Sequence, residues 1–122
     1  MPTNQISVDL RADVVVIDPM TRGCLCDGDD GVSSVITAHL ERGFLKFLLN
    51  LRRVPYLDST ALGCLIHARM IVTSAGGKLR ICNVDQRIRD LLRRTKLLPM
   101  FELFQSEEEA LQGFERTALT AR

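Results

Sequence analysis

Between Phe44 and Leu51 the only polar side chains are those of Lys46 and Asn50, and this run constrains the fold more than any other stretch. Its length and bulk suit a central strand buried on both faces. Such a strand needs neighbours in a sheet and a covering layer on each side. The flanking patterns supply both. Ile6 to Leu10 and Val14 to Ile17 are short alternating or apolar runs around Arg11–Asp13, which predicts a hairpin, although the turn holds neither Gly nor Asn. Asp18 to Gly31, rich in Asp and Gly and carrying Pro19, reads as a loop. A helix is predicted from about Val32 to Arg42, with Val32, Val35, Ile36 and Leu40 at helical spacing and Gly43 as its stop.

After the central run, Arg52 to Leu57 is a short connection, and a second helix runs from about Ser59 to Ala75. Leu62, Leu65, Ile66, the stem of Arg69 and Met70 fall along one side of it, and Gly76-Gly77 ends it. Lys78 to Asn83 predicts a strand, and Val84 to Thr95 a helix with Val84, Ile88, Leu91 and Leu92 inward. Phe101 to Phe104 is a last short strand. Ser106 and Glu109 have the spacing of a capping box before a helix that places Ala110, Leu111 and Phe114 on one face. The expected architecture is α/β: a mixed, mainly parallel sheet of about five strands with about four helices and an antiparallel hairpin at the start. With 122 residues the chain is one domain, 1–122, with a core from about 5 to 115 and a fraying tail over 116–122.

Composition narrows the function. Sixteen basic residues against 15 acidic ones, and no Trp, give neither the basic surface nor the stacking platforms that nucleic acid needs. Ala61 to Ala75 is too short to span a bilayer and contains His67 and Arg69, and the first ten residues lack a secretory pattern. No membrane partner and a cytoplasmic location are therefore expected. Cys24, Cys26, Cys64 and Cys82 read as small buried hydrophobes rather than a disulfide framework. Cys24-x-Cys26 beside Asp27, Asp29 and Asp30 invites a metal reading, to which Cys64 and His67 could add ligands. The acidic stretch lacks calcium-loop spacing, with Ala38 at its twelfth position, so neither metal nor cofactor is expected. There is no Gly-x-Ser-x-Gly elbow, phosphate loop or dinucleotide fingerprint. Ser59 and His67 are eight residues apart, roughly 12 Å along a helix axis, so the imidazole cannot activate the hydroxyl. An enzyme is not expected.

The informative stretch runs from Val54 to Gly63. Asp58 and Ser59 fall where a buried strand turns into a helix, and either can cap it. Backbone N–H groups and the positive end of the helix dipole make such a turn receptive to an anion. A phosphate on Ser59 would change the surface charge while leaving the helix intact. The basic cluster Arg87, Arg89, Arg93, Arg94 and Lys96 reads first as a solvated helix face balanced by Asp85 and Asp90; the alternative is a docking surface for an acidic partner.

Several segments together carry a resemblance: Tyr56-Leu57-Asp58-Ser59-Thr60-Ala61-Leu62-Gly63, Ala75-Gly76-Gly77-Lys78-Leu79-Arg80-Ile81-Cys82, Val84 to Leu98, Phe101 to Phe104, and Ser106 to Leu111. In order and spacing the chain resembles the STAS family of anti-sigma factor antagonists. The resemblance implies a single STAS-like domain that switches partners. Ser59 would be phosphorylated by an anti-sigma factor serine kinase, the unphosphorylated form would bind that kinase, and a serine phosphatase would restore it. Partner contacts would fall on Asp58, Ser59, Thr60, Ala61, Thr21 and Arg22. Two departures stand out: Ala61 replaces the motif's first Gly, and Thr21 and Cys24 occupy the positions of a Gly and an acidic residue in the early loop. A constitutive scaffold or accessory subunit of a signalling or transporter assembly is the alternative those departures suggest.

Overall fold

A computed structural model describes residues 6–19 and 31–120, and side chains up to Phe114. Five strands form one sheet in the order of the chain: β1 (Ile6–Arg11), β2 (Val14–Pro19), β3 (Lys46–Asn50), β4 (Lys78–Cys82) and β5 (Glu102–Phe104). β1 and β2 are antiparallel and all later pairs are parallel. The helices are α1 (Val32–Glu41), α2 (Ser59–Ser74), α3 (Gln86–Arg94) and α4 (Glu107–Thr120), with one 3-10 turn at Leu98–Met100. This is the expected mixed, mainly parallel sheet with four helices.

The two-residue period of the strands divides the core. Val15, Ile17, Phe47, Leu49, Leu79 and Ile81 join Val32 and Ile36 of α1, Leu65 and Val72 of α2, and Ile88 and Leu92 of α3. Val14, Val16, Leu48 and Cys82 point the other way, against Ala110 and Phe114 of α4. Phe47, Leu48 and Leu49 are all fully buried, which is the two-sided burial that the apolar run requires. The hairpin between β1 and β2 closes without glycine: Ala12 takes φ +59°. Lys46 donates to Asp13 at 2.8 Å and holds that carboxyl below its ordinary pKa.

Three helices end in the same way. The amide two residues beyond each cap reaches back to the third-last helical carbonyl: Phe44 to His39, Gly77 to Val72 and Leu97 to Leu92, at 2.8–3.0 Å. This closure needs a left-handed residue between. Gly43, Gly76 and Lys96 occupy it, with φ of +98°, +83° and +63°. Gly77 is required for a different reason, since a methyl there would collide with the carbonyl oxygen of Leu45, which accepts from the Lys78 amide at 2.8 Å.

Some boundaries differ from expectation. α3 starts at Gln86 because Asp85 caps it, accepting from the Arg87 amide at 2.9 Å. Met70 is exposed rather than inward: the buried residues of α2 are Ala61, Leu62, Leu65, Ala68 and Val72, and Met70 lies about 140° around the helix from Leu65. At α4, Ser106 Oγ accepts from the Glu109 amide as expected, but Glu109 reaches back to the Gln105 amide, one residue earlier than a capping box. α4 continues to Thr120, into the stretch expected to fray.

Lys96 is the one non-glycine among these three caps, so Lys96→Gly is expected to raise the unfolding free energy by roughly 0.5–1 kcal/mol. A urea titration of both chains checks this.

Candidate functional site

The turn between β3 and α2 is anchored at every third residue. Leu51, Val54 and Leu57 are buried, while Arg52, Arg53, Pro55 and Tyr56 between them are exposed. The Leu51 amide donates to the Cys82 carbonyl at 3.0 Å, and the Val54 amide to the Leu51 carbonyl at 2.9 Å. Leu57 therefore delivers the chain to the helix start in a fixed position. Asp58 is the N-cap with extended backbone, and its carboxylate accepts from the Ala61 amide at 2.8 Å. Ser59 is then the first helical residue, exposed, with no acidic or basic side chain in the first turn.

That arrangement settles which residue caps. Either Asp58 or Ser59 could do so from the sequence; Asp58 does, and the Ser59 hydroxyl is left on the surface. Asp58, Ser59 and Thr60 are all exposed, whereas Ala61 is only 3% exposed and joins the larger core. The substituted glycine of the motif therefore turns its methyl inward, where Ala favours helix over Gly by about 1 kcal/mol. Thr21, Arg22, Cys24, Cys26 and the Asp27–Asp30 stretch lie outside the described residues.

A polar network lies under this turn. Asn50, 2% exposed at the end of β3, accepts from the Arg52 amide at 3.0 Å and from Asn83 Nδ2 at 3.1 Å. Its own Nδ2 donates to Glu107 of α4 at 3.1 Å. Arg52 then grips Asp18 of β2 through Nε and Nη2, at 3.1 and 2.8 Å. The only available clue was an Asn interrupting an apolar run.

His67 is exposed, and His39 is engaged, with Nδ1 2.8 Å from the Val35 carbonyl oxygen and its ring edge-on to Phe44. Among the described residues no group of three or more His, Cys, Asp or Glu could hold a metal, and no helix is long and apolar enough to cross a membrane. The cysteine reading needs correction. Cys64 is disulfide-bonded and so cannot offer a thiolate, while Cys82 is free and buried as expected. Burial, then the nearby carboxylates of Glu107 and Asp18, push the Cys82 thiol up to about 12.

A family model for the STAS domain matches residues 29–110, which takes in β3, the anchored turn, α2, β4, α3 and β5. The chain belongs to the STAS domain family. An anti-sigma F factor antagonist of Paenibacillus polymyxa is 25% identical over 68 residues, 56% of this chain and 58% of that protein. A Thermotoga neapolitana protein, provisionally named an anti-sigma factor antagonist and a homolog of TM1081, is 30% identical over 78 residues, 64% and 69% of the two chains. This STAS domain thus matches less than two thirds of the first relative's length. The anti-sigma factor antagonist SpoIIAA of Bacillus shares the fold. Its unphosphorylated form superposes with a TM-score of 0.71 at 17% identity, over 90% of this chain and 96% of that one. Its phosphorylated form gives 0.66 at 17% identity, over 89% and 98%.

Two outcomes are expected. Asn50→Leu strands the Asn83 amide and the Arg52 backbone N–H, lowering stability by about 2 kcal/mol and speeding hydrogen exchange at Arg52. At pH 8 the Cys82 thiol stays protonated, so brief alkylation followed by peptide mapping leaves Cys82 unmodified unless denaturant is present.

Proposed function

We propose that this STAS domain is a phosphorylation-controlled anti-sigma factor antagonist. It acts in the cytoplasm without catalytic activity of its own. It binds a cognate anti-sigma serine kinase while Ser59 is unphosphorylated and releases it once Ser59 carries a phosphate, and a serine phosphatase resets it. One observation carries the reading: Ser59 is exposed at the first position of α2, and its neighbour Asp58 already caps the helix. Modification of Ser59 removes no bond that the fold uses.

The electrostatics support a switch at this position. A phosphate brings a charge of about −1.5 to −2, and Asp58 stands next to it. At a helix N-terminus the dipole and open N–H groups favour that charge by roughly 0.3–1 kcal/mol, so the fold tolerates it. A partner docked on Asp58, Ser59 and Thr60 meets a concentrated negative charge instead of a hydroxyl. That SpoIIAA occurs in unphosphorylated and phosphorylated forms on this fold is consistent with such a cycle. One of the two motives for the constitutive alternative weakens, because Ala61 is only 3% exposed and packs in the larger core.

Incubation with the kinase and ATP is expected to place phosphate on Ser59, read by phosphopeptide mapping. Ser59→Asp should weaken kinase binding at least about tenfold through like-charge and desolvation penalties, while changing stability by less than about 0.5 kcal/mol. Phosphate elsewhere, or unchanged binding by Ser59→Asp, would refute the switch and leave the constitutive scaffold.

A further inference from the structure

A cleft of about 480 Å³ lies between the anchored turn and α3, lined by Tyr56, Leu57, Arg87, Asp90, Leu91, Arg93 and Arg94. Its charge is one-sided. Asp90, the one carboxylate, already accepts from Arg93 at 3.1 Å and from Gln86 at 2.8 Å. Arg87 sits 5.9 Å over the ring of Tyr56 and 3.5 Å from the Asp85 carboxylate outside the cleft, and Arg94 makes no ion pair among the described residues. The chain as a whole carries only +1, so this concentration of guanidinium groups is local. The floor is apolar: Tyr56 is 42% exposed and Leu91 is half-buried. Guanidinium groups around a small apolar floor match a peptide that alternates carboxylates with an aliphatic side chain.

We infer that this cleft receives an acidic segment of the protein partner, and that Ser59 controls it by charge. The second half rests on the switch reading above. Leu57, in the cleft wall, lies two residues before Ser59, at most about 7 Å along the chain. Screening at physiological salt acts over about 8 Å, so the backbone of Ser59 lies within one screening length of that of Leu57 in the wall. A phosphate on Ser59 repels the incoming carboxylates and offers the arginines a competing anion. Release then needs no change of fold.

A short fluorescent peptide of Glu-Glu-Leu repeats is the probe, with anisotropy as the readout on the full chain. It is expected to bind at low salt and to weaken several-fold when sodium chloride is raised from about 50 to about 300 mM. Arg93→Glu with Arg94→Glu should weaken it at least about tenfold; both side chains are exposed, and circular dichroism confirms that the variant is folded. Arg42→Glu with Lys78→Glu makes the same charge change away from this cleft and should stay within about twofold of the parent. Absence of binding, or equal losses in the two double variants, overturns the cleft. A chain that is phosphorylated on Ser59 yet binds the peptide no less tightly keeps the switch and overturns its action through the cleft. Peptide binding that requires Arg93 and Arg94, in a chain whose kinase never modifies Ser59, supports the cleft and overturns the switch alone.

Discussion

The side-chain amide of Asn50 is the contact on which the arrangement of this domain depends. From Phe47 to Leu49 β3 is apolar on both faces; at Asn50 the sheet must hand its backbone over to a turn without stranding buried polar groups. One buried amide does this in three directions: toward the Arg52 amide, toward Asn83 at the end of β4, and toward Glu107 at the start of α4. An unpaired buried amide would cost roughly 1–3 kcal/mol, so the three elements are held together by a shared need. Asn83 adopts φ +56°, which Asn tolerates better than most side chains, and this brings its Nδ2 within reach of Asn50.

The consequence for the site is positional. The β3–α2 turn is exposed at most of its residues, yet it is fixed at its start by Asn50 and along its length by Leu51, Val54 and Leu57. Asp58 then completes the helix start. A surface serine at the end of such a chain of constraints is displayed in one place, which is what a modifying enzyme and a binding partner must both recognise. Under the proposed switch, the same rigidity would let a charge added at Ser59 act on the surface without being absorbed by a rearrangement of the turn.

Much of this is legible in the sequence because local and tertiary signals agree. The apolar run of β3, the helical spacing of Val32 and Ile36, and the glycines after α1 and α2 each have one physical reading. Where a residue answers two demands, pattern alone fails. Met70 has the chemistry of a core residue, but the stripe set by Ala61, Leu65, Ala68 and Val72 turns it outward. Lys96 takes a left-handed cap that composition would assign to glycine. At the site, Asp58 and Ser59 were visible as a capping pair, but the division of labour between them was not, because both can accept from the same amides. Asn50 looked like a blemish in a strand, since its partners lie 33 and 57 residues away.

Arg80 shows how the two faces of the sheet are kept apart in function. It occupies an inward position on β4, 5% exposed, opposite Glu102 of β5, to which its Nε donates at 2.6 Å. Its guanidinium lies over the rings of Phe104 and Phe114, at 5.5 and 4.3 Å. This buried cation belongs to the packing of α4, beneath which a methyl on Gly113 would crowd it at 3.2 Å. Arg87, Arg93 and Arg94 of α3, in contrast, are exposed beside the turn that leads to Ser59. Under the proposed switch a phosphate at Ser59 would act on the second set and not on the first, because Arg80 packs against α4 on the opposite face of the sheet from α3. The proposed switch would thus act on the face that carries α1, α2 and α3 and the larger core, and Arg80 stays with the smaller core under α4.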